Sequence, residues 1–293
     1  MIVNALDKHL INNEQLKKLL SSYQGLPAVF QTMAPLDDDK NWDSAVHYAN
    51  AVYNIDTSSE AERKIAGTLG IDVVCSLQSA SPEDITAALK DCISGYFFKS
   101  DEGDTISAMW ERADAFTTEP DNKLFGNSLT FSLLAFPKQT TAEPDPVNLM
   151  NNWVKEIYPN ITVIGMDETA DVWKPTDEKP AVYWKLRTMG PSSSMVSTYH
   201  CTWVNSSLQL HVIAPSSSVR NTVLQDITNR LSAAQRIIFP QDRSPFHIER
   251  IAVTAGADPV RVGQMTLTGS YGILRSYPET QKLNNPVINE KGG

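Results

Sequence analysis

The chain has little cysteine and no long apolar run, and both shortages exclude classes of protein. Cys75, Cys92 and Cys201 are odd in number and form no C-x-x-C pair, which excludes a disulfide framework and a zinc site of the usual spacing. No segment approaches the roughly 18 apolar residues of a membrane span, and the N-terminus lacks a basic region followed by an apolar stretch. We therefore expect a soluble protein of a reducing compartment that no recognisable signal exports.

Positive charge is also scarce. The 25 Lys and Arg residues are outnumbered by 34 Asp and Glu residues, which leaves a formal net charge of -9. Proteins that hold nucleic acid neutralise its phosphates with clustered basic side chains, so sequence-specific DNA binding is not expected. An acidic wall, in contrast, repels phosphates and lets DNA slide past without sticking.

Catalytic motifs are missing as well. The sequence has no phosphate-binding Gly-rich loop, no G-x-S-x-G elbow, no H-E-x-x-H helix and no dinucleotide fingerprint. Its five histidines are scattered, without a pair at metal-ligand spacing on one helix: His9, His47, His200, His211 and His247. Because His211 alternates with Leu210 and Val212, we place it on the exposed polar face of a strand. We nominate no catalytic residue, no cofactor-binding residue, no metal ligand and no cofactor.

Two polar loops carry residues typical of a protein contact. Asp37, Asp38 and Asp39 are consecutive, whereas a calcium loop alternates its ligands with spacers, so we interpret them as an exposed loop or a contact with a basic partner. Trp42 and Trp173 both fall in polar loops. A tryptophan in such a loop indicates a protein partner more strongly than a tryptophan in a strand does.

The most informative feature that is present is an internal repetition, with similar segments about 135 residues apart. The segment Y-Q-G-L-P-A-V-F from Tyr23 resembles Y-P-N-I-T-V-I-G from Tyr158. Five further matches follow in the same order: Ala51-Val52-Tyr53 with Ala181-Val182-Tyr183; Val73, Cys75 and Leu77 with Leu208, Leu210 and Val212; Leu89-Lys90-Asp91 with Leu224-Gln225-Asp226; Glu111-Arg112 with Glu249-Arg250; and Gly126 with Gly263. The shared order of these matches predicts that the chain contains two copies of one small unit.

Hydrophobic periodicity predicts the elements of each unit. For the first unit we expect an amphipathic helix over 6–20 that breaks near Asn12, strands over 27–33, 47–56 and 68–77, a helix over 82–97, and a closing hairpin over 106–117 and 124–136. For the second we expect a helix over 147–158, strands over 161–166, 180–189 and 197–213, a helix over 217–234, and strands over 247–255 and 262–275. Residues 190–194 are expected to form a loop.

These elements predict an α+β fold with two tandem copies of a small unit, each a mainly antiparallel sheet flanked by two helices. The expected boundaries are 1–137 for the first unit, 138–146 for a Pro-rich linker, 147–276 for the second unit and 277–293 for a flexible tail.

The order of elements resembles the tail terminator proteins of long-tailed bacteriophages. The residues that carry the resemblance are Leu16–Leu20, Ala51–Ile55, Ile71–Ser76, the helix after Ser81-Pro82 and Ser128–Phe131. The resemblance covers 6–136 and, by duplication, 147–275. Members of this family are usually single units, so the tandem arrangement is a departure.

The resemblance implies a structural virion protein of the tail or neck, made in the host cytoplasm, and not an enzyme. It implies a ring that caps the tail tube and joins it to the head-tail connector, with DNA passing through the lumen without specific binding. The implied partners are further copies of the chain, either six or three as a pseudo-hexamer, together with the tail tube protein and the connector or stopper protein.

Three alternatives stay open. The first is another neck or tail-tube ring component. The second is a small-molecule enzyme with a site between the units, where Glu111, Arg112, His247 and Arg250 would converge; such an enzyme needs a concave apolar pocket. The third is an adaptor that binds peptides along a sheet edge, which predicts a monomer with an open edge strand.

Overall fold

The computed structural model describes residues 2–57, 65–117, 124–139, 142–193 and 195–275. We call residues 2–137 the first unit and residues 146–275 the second unit. Each unit has a sheet with helices on one face, so the predicted α+β class is confirmed.

The elements of the first unit are α1 (Val3–Ile11), α2 (Glu14–Leu19), β1 (Ser22–Tyr23), β2 (Leu26–Pro27), β3 (Val29–Gln31), β4 (Asn50–Thr57), β5 (Ile65–Ser76), α3 (Pro82–Ile93), β6 (Phe97–Lys99), β7 (Thr105–Thr117) and β8 (Leu124–Phe136). Those of the second unit are α4 (Pro146–Ile157), β9 (Thr162–Val163), β10 (Val172–Trp173), β11 (Ala181–Pro191), β12 (Cys201–Ile213), α5 (Ser217–Ala234), β13 (Arg236–Ile238), β14 (Pro245–Val253) and β15 (Met265–Leu274).

Side-chain caps determine where the helices begin. The Asn13 side chain accepts hydrogen bonds from the backbone N–H groups of Gln15 and Leu16, so α2 starts anew there and the predicted break near Asn12 is confirmed. The Ser81 hydroxyl accepts from the Asp84 N–H and Pro82 is the first residue of α3. The predicted inward residues of this helix, Ile85, Leu89 and Ile93, are all buried.

The first sheet has seven strands in the order β10-β6-β7-β8-β5-β4-β3, and the second has six in the order β13-β14-β15-β12-β11-β9. All pairs are antiparallel except β3 with β4 and β9 with β11, which are parallel. Without β10, the order β6-β7-β8-β5-β4-β3 in the first sheet matches the order β13-β14-β15-β12-β11-β9 in the second, strand for strand. Each sheet also has a bulge at a Glu-Arg pair, between Trp110 and Arg112 in β7 and between Ile248 and Arg250 in β14.

Each sheet packs one face against its own helices. In the first unit Ala51, Tyr53 and alternate residues of β5 and β8 form this core, and in the second unit Val182, Trp184 and alternate residues of β12 do so. Tyr183 therefore lies on the face away from the helices, whereas Tyr53 lies on the face toward them. The sequence match of Tyr53 with Tyr183 is thus wrong by one residue, because a shift of one in a strand exchanges its faces.

Several predicted elements need correction. Leu77 lies after the end of β5 and is 75% exposed, so it does not continue the apolar face of that strand. Gly190 and Pro191 belong to β11, because the ladder with β12 extends to them, so the loop predicted over 190–194 begins too early. The helix predicted over 82–97 ends at Ile93, and the short strands β1, β6, β10 and β13 are absent from the prediction. Residues 277–293, with the tail prediction, lie outside the described residues.

We predict that Asp145→Ala lowers the free energy of unfolding by about 1 kcal/mol, because a capping carboxylate stabilises the first turn of a helix. The Asp145 carboxylate accepts hydrogen bonds from the N–H groups of Val147 and Asn148 at the start of α4. The matched control is Ser216→Ala at the start of α5, where the hydroxyl accepts no capping hydrogen bond from the described helix. Urea unfolding of both variants measures the difference, and equal losses would contradict the assignment.

Candidate functional site

The main feature outside the two cores is the contact between the units. The second unit contributes β10 to the edge of the first sheet, where Val172 is opposite Phe98 and Trp173 is opposite Phe97. The Lys99 N–H donates to the Asp171 carbonyl at 2.8 Å. The Trp173 ring stacks on Phe97, with 4.8 Å between centroids and an interplanar angle of 22°. A segment of one unit therefore completes the sheet of the other.

Behind this strand pair, an apolar cluster fills the space between the two sheets. Phe136 at the end of β8 meets Tyr183 of β11 edge-on, with 5.1 Å between ring centroids. The buried members of this contact cluster are Phe97, Leu134, Phe136, Ile164, Ala181, Tyr183, Ile213 and Val260. Because apolar residues of both units are buried together, the contact is packed like the hydrophobic core of a single domain.

Hydrogen bonds join the segment after β8 to the second sheet. The Tyr183 hydroxyl donates to the Pro137 carbonyl at 2.9 Å and accepts from the Gln139 side-chain amide at 3.2 Å. Burial raises the pKa of the Tyr183 hydroxyl, so it stays protonated as a donor. The Gln139 side chain also accepts from the Leu186 N–H. Gln139, which belongs to the predicted linker, is thus held against β11.

His211 corrects an expectation. It does point away from the core of the second unit, but it is only 3% exposed, because the first unit covers that face of β12. Its ring contacts Phe136 and Tyr183, and its Nδ1 atom lies 2.8 Å from the Pro259 carbonyl oxygen. The predicted exposed polar position is therefore a buried position in the contact.

An ion pair crosses the rim of the contact. The Arg261 guanidinium binds the carboxylate of Glu111, the residue at the bulge of β7, and the Ser132 hydroxyl donates to the same carboxylate at 2.7 Å. Both charged side chains are about one third exposed, at 39% and 33%. Exposed pairs of this kind contribute only about 0–1 kcal/mol, so the apolar cluster dominates the stability of the contact.

A groove of about 400 Å³ runs beside the contact cluster and carries the basic side chains Lys185, Arg187 and Arg261. Among the described residues, no group of three or more His, Cys, Asp or Glu residues is placed to hold a metal ion. The described carboxyl groups with a displaced pKa all have it lowered, because hydrogen bonds stabilise the charged form: Glu14, Asp43, Glu83, Asp226 and Asp242. A general acid would need the opposite displacement.

The four residues considered for an interdomain enzyme site lie in different places. Glu111 binds Arg261, and Arg112 pairs with Asp114 at 3.0 Å. His247 and Arg250 lie in β14, which is separated from β11 by β15 and β12. At roughly 4.8 Å per strand, the distance from β14 to the β11 side of the contact is about 14 Å.

The acidic loop has its own internal structure. Asp39 accepts from the backbone and side-chain N–H groups of Asn41, and the Trp42 indole donates to the Leu36 carbonyl. Trp42 is only 9% exposed and packs among Tyr23, Phe30 and His47, so its expected role as a contact with another protein is replaced by local packing. Trp173 lies in strand β10 instead of the expected polar loop, and it stacks on Phe97 of the same chain instead of on another protein.

No protein-family model matches this sequence, and a comparison with curated proteins finds no significant match. Among the described residues, the helices are too short or too polar to cross a membrane. Inferences about function therefore depend on the contact itself.

The two units use different sides of their sheets in this contact. The first unit contributes β6, β7 and β8, whereas the second contributes β10, β11, the ends of β9 and β12, and Val260 in the loop between β14 and β15. A two-fold contact would use corresponding elements on both sides, which here would be β6–β8 with β13–β15. The contact is consequently heterologous, or head to tail.

We predict that Phe136→Ala uncouples the units, whereas Phe131→Ala destabilises the first unit alone. Both side chains lie in β8 and are at most 2% exposed, but they face the contact cluster and the core of the first unit, respectively. Each substitution should cost about 3–5 kcal/mol. Hydrogen exchange of β11 amides should accelerate in Phe136→Ala and stay near the wild-type rate in Phe131→Ala. Equal protection of β11 in both variants would show that the contact carries little stability.

We also predict that maleimide modifies only Cys201 in the folded protein at pH 8. Cys75 and Cys92 are buried, and burial raises the pKa of both thiols, that of Cys92 to about 12, which suppresses the reactive thiolate. Mass spectrometry should show one added group before unfolding and three in denaturant. The control is Cys201→Ser, which should take up none while folded, and rapid labelling of that variant would refute the prediction.

Proposed function

We propose that this protein is a structural virion protein that forms a ring, caps the tail tube of a long-tailed bacteriophage and joins it to the head-tail connector. The observation that carries the proposal is the head-to-tail contact between two units of corresponding strand order. The resemblance of the element order to tail terminator proteins is the reason for proposing a phage tail.

Head-to-tail contacts differ from two-fold contacts in what they leave unused. A two-fold contact consumes the same surface on both partners and stops at a dimer, whereas a heterologous contact leaves one unlike surface on each side. Here the first unit uses its β6 side, and the second unit keeps its β13 side. Repetition of such a contact generates a closed ring or a filament.

We further infer that the chain is a tandem duplication of one unit. Support comes from the corresponding strand orders, from the bulges at Glu111 and Glu249, and from Leu89 and Leu224, which are buried at matching places in α3 and α5. In this arrangement three chains supply six units and make a pseudo-sixfold ring. Six chains would instead place one unit in the ring and the other outside it or stacked on it.

The charge of the chain is compatible with a ring around DNA. A net charge of -9 gives an overall repulsion toward phosphates, so a lumen lined with acidic side chains would pass DNA without binding it. Besides further copies of itself, the proposed partners are the tail tube protein and the connector or stopper protein. No covalent chemistry is proposed.

Another neck or tail-tube ring component is the nearest rival, since it would use the same head-to-tail contact. An adaptor that binds peptides along a sheet edge is favoured by one observation, because β13 is the terminal strand of the second sheet as described. These rivals differ in assembly: a tail-tube component stacks into long tubes, and an adaptor stays monomeric.

We predict a solution species with three or six times the 32.4 kDa mass of one chain. The measurement is light scattering over a concentration series, with and without purified tail tubes, followed by electron microscopy. Closed rings, alone or at tube ends, are expected because both sides of each unit become occupied. Long tubes of this chain would favour the tail-tube rival, and a monomer that ignores tail tubes would contradict a ring function.

A further inference from the structure

Both parts of the contact within one chain have counterparts elsewhere in the same chain. These parts are the edge of β6 in the first unit, and the loop between β9 and β11 in the second unit, which contains β10. The corresponding parts elsewhere in the chain are the edge of β13 and the loop between β3 and β4, residues 32–49. Neither is used by the contact between the units.

The edge of β13 has the same hydrogen-bond phase as the edge of β6. In the first unit the Ala108 N–H donates to the Tyr96 carbonyl, so Tyr96 directs this backbone group toward β7. Because backbone direction alternates along a strand, Phe97 and Lys99 direct their backbone groups outward, away from β7. In the second unit the Ile248 N–H donates to the Gln235 carbonyl, so Arg236 and Ile238 direct theirs outward. Within the described chain, no backbone hydrogen bond reaches these outward groups of β13.

Exposed apolar side chains mark both unused parts. Ile238 on β13 is 45% exposed, whereas β6, which is covered by β10, has Phe97 and Phe98 at 1% and 0%. The loop between β3 and β4 exposes Met33, Leu36 and Val46 at 76%, 73% and 44%. Large apolar side chains at an open sheet edge and on a well-structured loop are typical of surfaces that become buried in an assembly.

The charges of the two parts are complementary. Asp37 and Asp38 are exposed on the loop, and Arg236 and Arg243 are exposed on β13 and in the turn that follows it. A second copy of this chain therefore offers the segment that fits β13 in backbone, apolar and charged character.

We propose that residues 33–46 of one copy bind along the open edge of β13 in a second copy, as residues 171–173 bind along β6 within one copy. The proposal rests on the ring function given above and names the contact that would close the ring. Units would then alternate around it, with contacts within chains and contacts between chains sharing one geometry.

The first test is cross-linking between two differently tagged variants in a Cys201→Ser background, since Cys75 and Cys92 are buried. One variant carries Leu36→Cys and the other Ile238→Cys, and a short bismaleimide joins nearby thiols. A heterologous contact predicts a dimer that carries both tags in the mixture and little dimer in either variant alone. In the matched control, Val196→Cys replaces Leu36→Cys; Val196 is 86% exposed in the β11–β12 hairpin. A yield no higher than in this control would overturn the proposal.

The second test is the solution mass of Ile238→Lys, with Val196→Lys as its control. A lysine on the outer edge blocks strand addition but leaves the folded unit intact, so assembly should require a concentration at least about tenfold higher. Unchanged assembly of Ile238→Lys would overturn this contact while leaving the ring function in place. A wild-type chain that stays monomeric with and without tail tubes would overturn both. Cross-linking of Ile238→Cys to added tail tube protein, in place of a second copy, would assign β13 to that partner and overturn the proposal.

Discussion

The structure depends on one constraint, which is that the backbone groups along a sheet edge need partners. The first sheet meets this need at β6 by taking β10 from the second unit, and the hydrogen bond from Lys99 to Asp171 extends the same ladder. Because this strand pair holds the two units in register, the apolar cluster around Phe136 and Tyr183 can close behind it. The second described sheet ends at β13, and we propose that a second copy of the chain binds this edge.

The two faces of each sheet have different tasks, and the alternation of side chains along the strands separates them. One face packs against helices and stabilises the unit, as Tyr53 and Trp184 illustrate. The other face makes the contact between units, as Leu134 and Phe136 illustrate in β8. A protein built this way can keep its cores while it varies its contacts, which is compatible with the ring proposed above.

The displaced pKa values of the described groups have structural causes, namely burial and hydrogen bonding. The buried thiols have raised pKa values, and the displaced carboxyl groups have lowered ones, so neither set matches the poised acids and nucleophiles that active sites use. The polar side chains near the contact are engaged in structural roles: Glu111 with Arg261, and Tyr183 with the segment after β8.

The sequence by itself determined the elements and the class of fold. Periodicity located α3, α5 and the long hairpins to within a few residues, because their apolar positions repeat over many turns or pleats. It did not locate β1, β6, β10 or β13, and it placed the equally short β3 and β9 only within longer apolar runs, since two or three residues carry too few positions for a period to show. It placed Trp173 in a polar loop that contacts another protein, whereas Trp173 lies in β10 and packs on Phe97 of the same chain. It also placed His211 on the correct face and misjudged its burial, because exposure depends on what covers a face. Only the tertiary structure decided that the units meet head to tail, since that arrangement arises from side chains far apart in sequence that share one surface.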